Sequence, residues 1–449
     1  MVAVAWPVVF GVRPRRGIVA GVVVVAFFAQ LQLEGFRWQM LPLYLMVIGL
    51  ALGDILFVDR KLMWTTRVSR TLFGFLGLVL VYALPSILPV PTIPVPSGGV
   101  PVGTISFEVV DPEREEVYGE KPGEPRRLMV QVWYPASSTD GLEPVIWSQD
   151  WDVVAPATSR RLGLPSWFLN HTRYTRSHAV STAPVAAGTY PVVIYSHGWT
   201  GFRTIAVNQM ESLASNGYIV VAIDHTYGAV ATRFPDGEVV GYDPDALPPE
   251  GSDTRMTAAD QLIGVFSDDI VTVFDALDLG VEGPFAFVSR AVDLGRIGVF
   301  GHSAGGGAAV RVCLFDDRCM AVLGFDPWVE PLPTRVLQEI ATRPALFMRS
   351  DEWSGTHNDA ILRGVAGRSE AVTYWVNVDG TGHNDFILTP LLSPLASQLG
   401  LKGPISAGRI IPIIDNYLVG FFDVFLLGTG SAALDTVRFP EVSVEVIGR

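Results

Sequence analysis

The sequence predicts an α/β protein: a mostly parallel central sheet with helices on both faces, preceded by an all-helical membrane segment. Two observations carry this. Beyond residue 103, short apolar runs of strand length alternate with helix-length segments, the pattern of parallel strands joined by crossover helices. Before residue 91, three apolar stretches at 17–33, 39–58 and 71–90 each approach the ~20 residues that cross a hydrocarbon core. The 449 residues therefore divide into a membrane segment at 1–90, a Pro/Gly-rich linker at 91–103 and an α/β domain at 104–449.

Three long apolar runs with short charged links argue against buried helices of a soluble domain. A signal peptide competes for the first run, but two more spans follow at once and no small-residue cleavage site is evident. Basic residues set the orientation. Arg13, Arg15 and Arg16 precede the first span, and Arg60, Lys61, Arg67 and Arg70 lie between the second and third. The positive-inside rule then leaves the N-terminus in the cytoplasm and the α/β domain on the extracytoplasmic side of the cell membrane. Asp54, near the end of the second span, is expected to reach the interface.

The first hundred residues hold eight Lys/Arg and three Asp/Glu, which leaves 24 basic against 42 acidic residues beyond them, a formal −18. So acidic a domain is unsuited to nucleic acid or anionic headgroups. Two cysteines and no Cys/His cluster of zinc spacing give no reason to expect a metal or other cofactor.

Within the α/β domain, strands are expected at Thr104–Val110, Arg127–Tyr134, Tyr190–Tyr195, Tyr218–Ile223, Met320–Phe325, Ala345–Met348 and Ala371–Val378. Helices are expected near 204–216 and 255–279, and a small hairpin around Pro235-Asp236-Gly237. Asp140–Ala186, rich in Trp, His and Arg, reads as an irregular insertion over the sheet edge. The apolar stretch 405–428 is interrupted by Arg409, Asp415, Asn416 and Asp423 and reads as a packed helix, and Leu388–Leu401 reads as core, with a surface that touches lipid near the site entrance as the alternative.

The chemistry centres on Gly301-His302-Ser303-Ala304-Gly305-Gly306. It follows the apolar run Arg296–Phe300 and precedes a run of small residues suited to a helix. Strand, sharp turn carrying a serine, helix: this is the nucleophile elbow of an α/β-hydrolase. Side chains at Gly301 and Gly305 would collide with the neighbouring strand and helix. The pattern alone is also met by any glycine-rich loop, so the serine's partners decide. In this fold they follow in the order acid, then histidine. Of the histidines after Ser303, His383 lies in a loop directly after a strand, whereas His357 lies in a polar loop. Asp326 and Asp351 each follow a strand, and position alone leaves both open as the acid. Backbone N–H groups of Trp199 and Ala304 are the expected oxyanion donors. His197 precedes the serine and suits a structural role; His225 sits at a strand end, either lining the pocket or structural.

Val132-Trp133-Tyr134-Pro135, Ser196-His197-Gly198 with Phe202-Arg203-Thr204, the elbow itself, Asp326-Pro327-Trp328 and Gly382-His383 together resemble the platelet-activating factor acetylhydrolases of the plasma and intracellular type and their bacterial relatives. The resemblance covers most of 104–430 and none of the membrane segment. It implies a Ser303–Asp326–His383 triad, favours Asp326 over Asp351, and implies a calcium-independent, phospholipase A2-like serine esterase acting on short or oxidised acyl chains of phospholipids. Related bacterial hydrolases cleave polyesters and other small esters, so both substrate classes stay open. Ala304, where the family often has a bulkier residue, and the membrane-anchored N-terminus are departures. Cys313 and Cys319 flank Leu-Phe-Asp-Asp-Arg; outside the cell a disulfide is expected, with two buried thiols as the alternative. Two other classes compete with the enzyme: a hydrolase-fold module that binds without turnover, and a transport or sensor unit built on the three spans. Oligomeric state is not legible.

Overall fold

The computed structural model describes residues 18–56, 64–429, 434 and 439–448. The chain divides into two compact units, Met1–Pro91 with Leu392–Pro394, and Thr92–Leu391 with Leu395–Arg449.

The first unit contains helices α1 (Ile18–Glu34), α2 (Leu41–Leu56) and α3 (Trp64–Ile87), one in each expected span. Many of their apolar side chains, among them Val25, Phe28, Leu45 and Phe75, are exposed, and Leu33 is 85% exposed. Within the described residues the apolar helical stretches here are short: Val24–Leu33, Trp38–Gly49 and Phe75–Ile87. Among the described residues, Ala407–Leu427 is the helix long and apolar enough to cross a membrane, and it is 56% buried, as a core helix is. Arg13, Arg15, Arg16, Arg60 and Lys61, which set the expected orientation, lie outside the described residues.

The second unit is built on one sheet. Its strands are β1 (Val102–Glu115), β2 (Pro125–Pro135), β3 (Pro144–Ile146), β4 (Arg176–Ser181), β5 (Tyr190–Ser196), β6 (Ile219–Asp224), β9 (Val292–His302), β10 (Cys319–Phe325), β11 (Ala345–Ser350), β12 (Thr373–Val378) and β13 (Val442–Ile447). They lie in the order β13-β12-β11-β10-β9-β5-β6-β2-β1-β4-β3, while β7 (Ala231–Arg233) and β8 (Val239–Gly241) form a separate hairpin. The six strands from β12 to β6 are parallel, with antiparallel β13 at one end and β2 at the other.

A parallel strand is covered on both faces, so its sequence is apolar without alternation. Every residue of Ile219–Asp224 is buried for this reason. Helix α5 (Val207–Ser215) follows β5, and the covering helix α6 (Arg255–Asp278) buries Ala259, Leu262, Ile263, Phe266, Ile270, Val273, Phe274 and Leu277, a stripe of helical period. Helix α7 (Ala304–Phe315) follows β9 and reaches the sheet through glycine and alanine; at Gly307 a Cβ would collide with the Trp328 carbonyl. Helix α9 (Ala407–Phe422) is packed in this unit through Ile410, Ile413, Ile414, Tyr417, Leu418, Phe421 and Phe422.

Three expectations are corrected. Asp140–Ala186 is not irregular: it holds β3, helix α4 (Trp151–Arg161) and β4, and β4 extends the sheet by pairing parallel to β1. Its edge position, with one strand neighbour of three residues, removes the need for an apolar run. His357 is not in a loop but opens helix α8 (His357–Gly367), capped by the Thr356 side chain on Asp359 N–H. Residues 91–103 are not a separate linker: from Thr92 onward they belong to the second unit. Val102 and Gly103 already belong to β1, Ile93 is buried, and Gly98 and Val100 donate to Ser215 Oγ (3.0 Å) and Ser215 O (3.1 Å).

Candidate active site

Strand register assembles the site. On one side of β9, Ser196 pairs with Gly301; on the other, Phe325 pairs with His302. The residues just beyond three adjacent strand ends, His197, Ser303 and Asp326, therefore emerge side by side, where α/β sheets place their ligands.

Ser303 has φ 57° and ψ −122°, a conformation that costs a non-glycine residue about 1–3 kcal/mol. Backbone bonds on both sides hold it there: its N–H donates to Phe325 O at 3.0 Å, and its C=O accepts from Gly307 N–H (3.0 Å) and Trp328 N–H (2.9 Å). Gly301 and Gly305 have no room for a side chain. A Cβ at 301 would overlap the Gly305 carbonyl, and one at 305 would overlap the carbonyls of Ser196 and His197.

Asp326 is fully buried and also left-handed, φ 41°. Its Oδ2 accepts from His383 Nδ1 at 3.1 Å and from Ser350 Oγ at 2.6 Å; its Oδ1 accepts from Ser350 N–H at 2.9 Å and faces Arg349 Nε at 3.4 Å. Burial pushes the carboxyl up, but the bonds from His383 and Ser350 outweigh it and hold the pKa below the usual aspartate value. Asp351, the other candidate acid, is exposed and accepts the Gly380 N–H at 2.5 Å, so it braces the loop that carries His383 and does not touch the ring.

The His383 ring is clamped. Trp353 stacks on one side at 4.3 Å, with planes 3° apart. The His302 ring lies 4.4 Å away at 32°, and His302 Nε2 bonds the His383 carbonyl at 2.9 Å. Burial, with His383 beside it, lowers the His302 pKa to about 3, so the His302 ring stays neutral. Glu352 accepts the His383 N–H at 2.7 Å. Ser303 Oγ has no hydrogen-bond partner among the described residues; such bonds are often long until substrate arrives.

As the first residue of α7, Ala304 presents an N–H that no intrahelical carbonyl can take. Among the described residues the Trp199 N–H has no acceptor either. Its loop lies against Ser303, since a Cβ at Gly198 would fall 2.9 Å from Ser303 Cβ. These are two free donors beside one strained serine. Among the described residues no group of three or more His, Cys, Asp or Glu is placed to hold a metal.

His225 is sealed inside a second Ser–His–Asp array: Ser196 Oγ lies 2.8 Å from its Nε2, and Asp269 Oδ2 lies 2.9 Å from its Nδ1. Asp269 is bonded twice by buried Arg126, at 2.6 and 3.0 Å, and by Arg114 at 3.0 Å. Full burial of all three members bars substrate from that array. Cys313 and Cys319 are joined in a disulfide with Cα atoms 5.2 Å apart, tying the end of α7 to the start of β10. Sequence reasoning missed Ser350 and Trp353. Ser350 ends an apolar strand and Trp353 lies just beyond it, but nothing local indicates that they face Asp326 and His383.

A family profile described as platelet-activating factor acetylhydrolase, isoform II, matches residues 116–239 and 271–426. The platelet-activating factor acetylhydrolase of Cavia porcellus is 25% identical over 257 residues, 53% of this chain and 58% of that one. A probable 1-alkyl-2-acetylglycerophosphocholine esterase of Arthroderma benhamiae is 24% identical over 279 residues, 56% of this chain and 65% of that one. The chain thus spans less than two thirds of the length of these relatives. Among solved structures, a ferulic acid esterase from Streptomyces cinnamoneus matches with TM-score 0.64 and 27% identity, over 79% of this chain and 99% of that chain.

Proposed function

The chain belongs to the platelet-activating factor acetylhydrolase, isoform II, family, and from that premise we propose that it is a serine hydrolase of carboxylic esters. The observation that carries the reading is the juxtaposition at the strand ends: a strained, half-buried serine at φ 57° and an imidazole whose Nδ1 is held at 3.1 Å by a buried carboxylate. Asp326 keeps the Nδ1–H tautomer, which leaves Nε2 of His383 free to take the Ser303 proton. Ser303 Oγ attacks the acyl carbonyl, and the N–H groups of Trp199 and Ala304 stabilise the tetrahedral oxyanion. His383 returns the proton to the departing alcohol. Water, activated by the same imidazole, then releases the acid from the acyl-enzyme.

The substrates we favour are phospholipids with short or oxidised acyl chains, in line with the names of the curated relatives. The second class is small esters or polyesters, and its small-ester part is supported by the ferulic acid esterase that this chain matches over almost all of that enzyme's length. We further propose that the first unit anchors the chain through three spans with the catalytic domain outside the cytoplasm. Apolar helices with exposed apolar faces support the anchor, and a disulfide supports an oxidising compartment.

A fluorophosphonate probe tests the chemistry. We expect the wild type to label and to hydrolyse p-nitrophenyl acetate, and Ser303→Ala to do neither. A wild type that stays unlabelled, or a Ser303→Ala protein that still labels, sinks the reading. p-Nitrophenyl esters of increasing chain length, beside a short-acyl phospholipid, separate the substrate classes. Activity is expected to fall steeply beyond short chains, and equal activity on long chains would indicate a true lipase.

A further inference from the structure

His197 is fully buried behind the cleft, and its two nitrogens have complementary partners. Nδ1 lies 2.8 Å from the Gly198 carbonyl oxygen, which can only accept, so Nδ1 carries the hydrogen. Nε2 accepts the His225 backbone N–H at 3.3 Å, so Nε2 offers its lone pair. Both neighbours demand the same neutral tautomer. Burial, reinforced by His225, lowers the pKa well below the ordinary histidine value, which keeps that tautomer in place. His225 is itself immobilised by Ser196 and Asp269.

The Gly198 carbonyl is gripped a second time, by Gly201 N–H at 2.8 Å. Thr200, at φ 58°, closes this turn in a conformation that a β-branched residue adopts only under constraint. With its oxygen held on two sides, the Gly198–Trp199 peptide cannot rotate. The peptide is trans, so C=O and N–H point in opposite directions. The Trp199 N–H is therefore aimed away from the His197 ring, out of a loop whose Gly198 abuts Ser303.

We propose that His197 is a positioning residue: its Nδ1–H fixes the Gly198–Trp199 peptide so that the Trp199 N–H faces the oxyanion formed at Ser303. The assignment rests on the ester-hydrolase reading above. It makes a buried histidine responsible for the aim of a donor and leaves proton transfer to His383.

Two substitutions separate the ring nitrogens. In His197→Asn the side-chain amide nitrogen stands where Nδ1 stood and keeps the bond to Gly198. In His197→Gln the amide extends to the Nε2 position and leaves Gly198 with the Gly201 donor alone. Loss of a whole oxyanion donor costs ~10²–10³ in kcat, so a mis-aimed one in the Gln protein is expected to cost about 10- to 100-fold, with KM for p-nitrophenyl acetate within about threefold. A trifluoromethyl ketone, which forms the tetrahedral adduct, should weaken by the same factor as kcat. The Asn protein should retain most of both. Asn and Gln proteins with equal kcat, or a Gln protein with low kcat and undiminished ketone affinity, would overturn the assignment. A second readout needs no variant: in 15N-labelled wild type the Trp199 amide proton should move downfield when the ketone binds, and an unmoved amide also overturns the assignment. A wild type inert to fluorophosphonate overturns the hydrolase reading and this one with it. A wild type that labels, beside equal variants, overturns the role of His197 alone.

Discussion

Replacing Asp326 by Asn changes one oxygen to an amide and nothing in volume, so its effect reports hydrogen-bond direction alone. All four contacts of the carboxylate are with donors: His383 Nδ1 and Ser350 Oγ on Oδ2, Ser350 N–H and Arg349 Nε on Oδ1. An amide NH₂ in the Oδ1 position would face a backbone N–H and a guanidinium, neither of which can reverse. In the Oδ2 position it faces a hydroxyl that can rotate and an imidazole that can change tautomer. The second arrangement wins, and it makes Nδ1 the acceptor and puts the hydrogen on Nε2. His383 then cannot take the Ser303 proton. A tautomer error of this kind in a serine triad costs ~10⁴ in kcat, or about 5.4 kcal/mol at 1.36 kcal/mol per decade. Asp351→Asn is the control, because that side chain only accepts the Gly380 N–H; it should stay within about tenfold of wild type, the cost of one exposed hydrogen bond. The assay is kcat on p-nitrophenyl acetate, normalised to sites titrated by fluorophosphonate, with urea unfolding to confirm the fold. Asp326→Asn within tenfold of wild type, or Asp351→Asn as damaged as Asp326→Asn, would refute the argument.

The remaining predictions concern stability. Cys313→Ser with Cys319→Ser opens a loop closed by a bond six positions apart in sequence, and the chain-entropy relation gives a loss of about 2 kcal/mol, read as a lower urea midpoint; an unchanged midpoint would mean the bond adds nothing to the fold. His302 has a folded pKa of about 3 against about 6.5 unfolded, so the unfolded chain binds the extra proton and stability is lost as pH falls below about 6.5 toward 3. Between pH 7 and pH 5 wild type should lose about 2 kcal/mol more than His302→Gln, measured by urea unfolding of both proteins at both pH values. Parallel losses would show that His302 does not carry this dependence.

Much of the fold was legible because its signals are local. A parallel strand buried on both faces must be apolar throughout, so β5, β6, β10, β11 and β12 stood out as short apolar runs. The elbow was legible because a serine at φ 57° leaves no room for a Cβ at Gly301 or Gly305, and that steric demand appears directly as glycine spacing. Strands β3 and β4, at the end of the sheet, carry no such signal, since short pairing and partial exposure impose no apolar run.

What the sequence by itself determined is therefore the kind of sheet, the strained serine, and a short set of strand-end partners in the order Ser, acid, His. Only the tertiary structure decided which carboxylate meets which imidazole. Asp326 and Asp351 each follow a buried strand, and their difference lies in loop direction: one side chain turns inward to His383, the other outward to Gly380. The same holds for His225, which chain position alone does not separate from cleft residues and which burial assigns to the frame behind it. Hydrogen-bond direction depends on groups contributed by distant elements, here Asp269 on helix α6 and Ser350 at the end of β11. Their proximity is created by helix packing and sheet register, and no local pattern of residues encodes it.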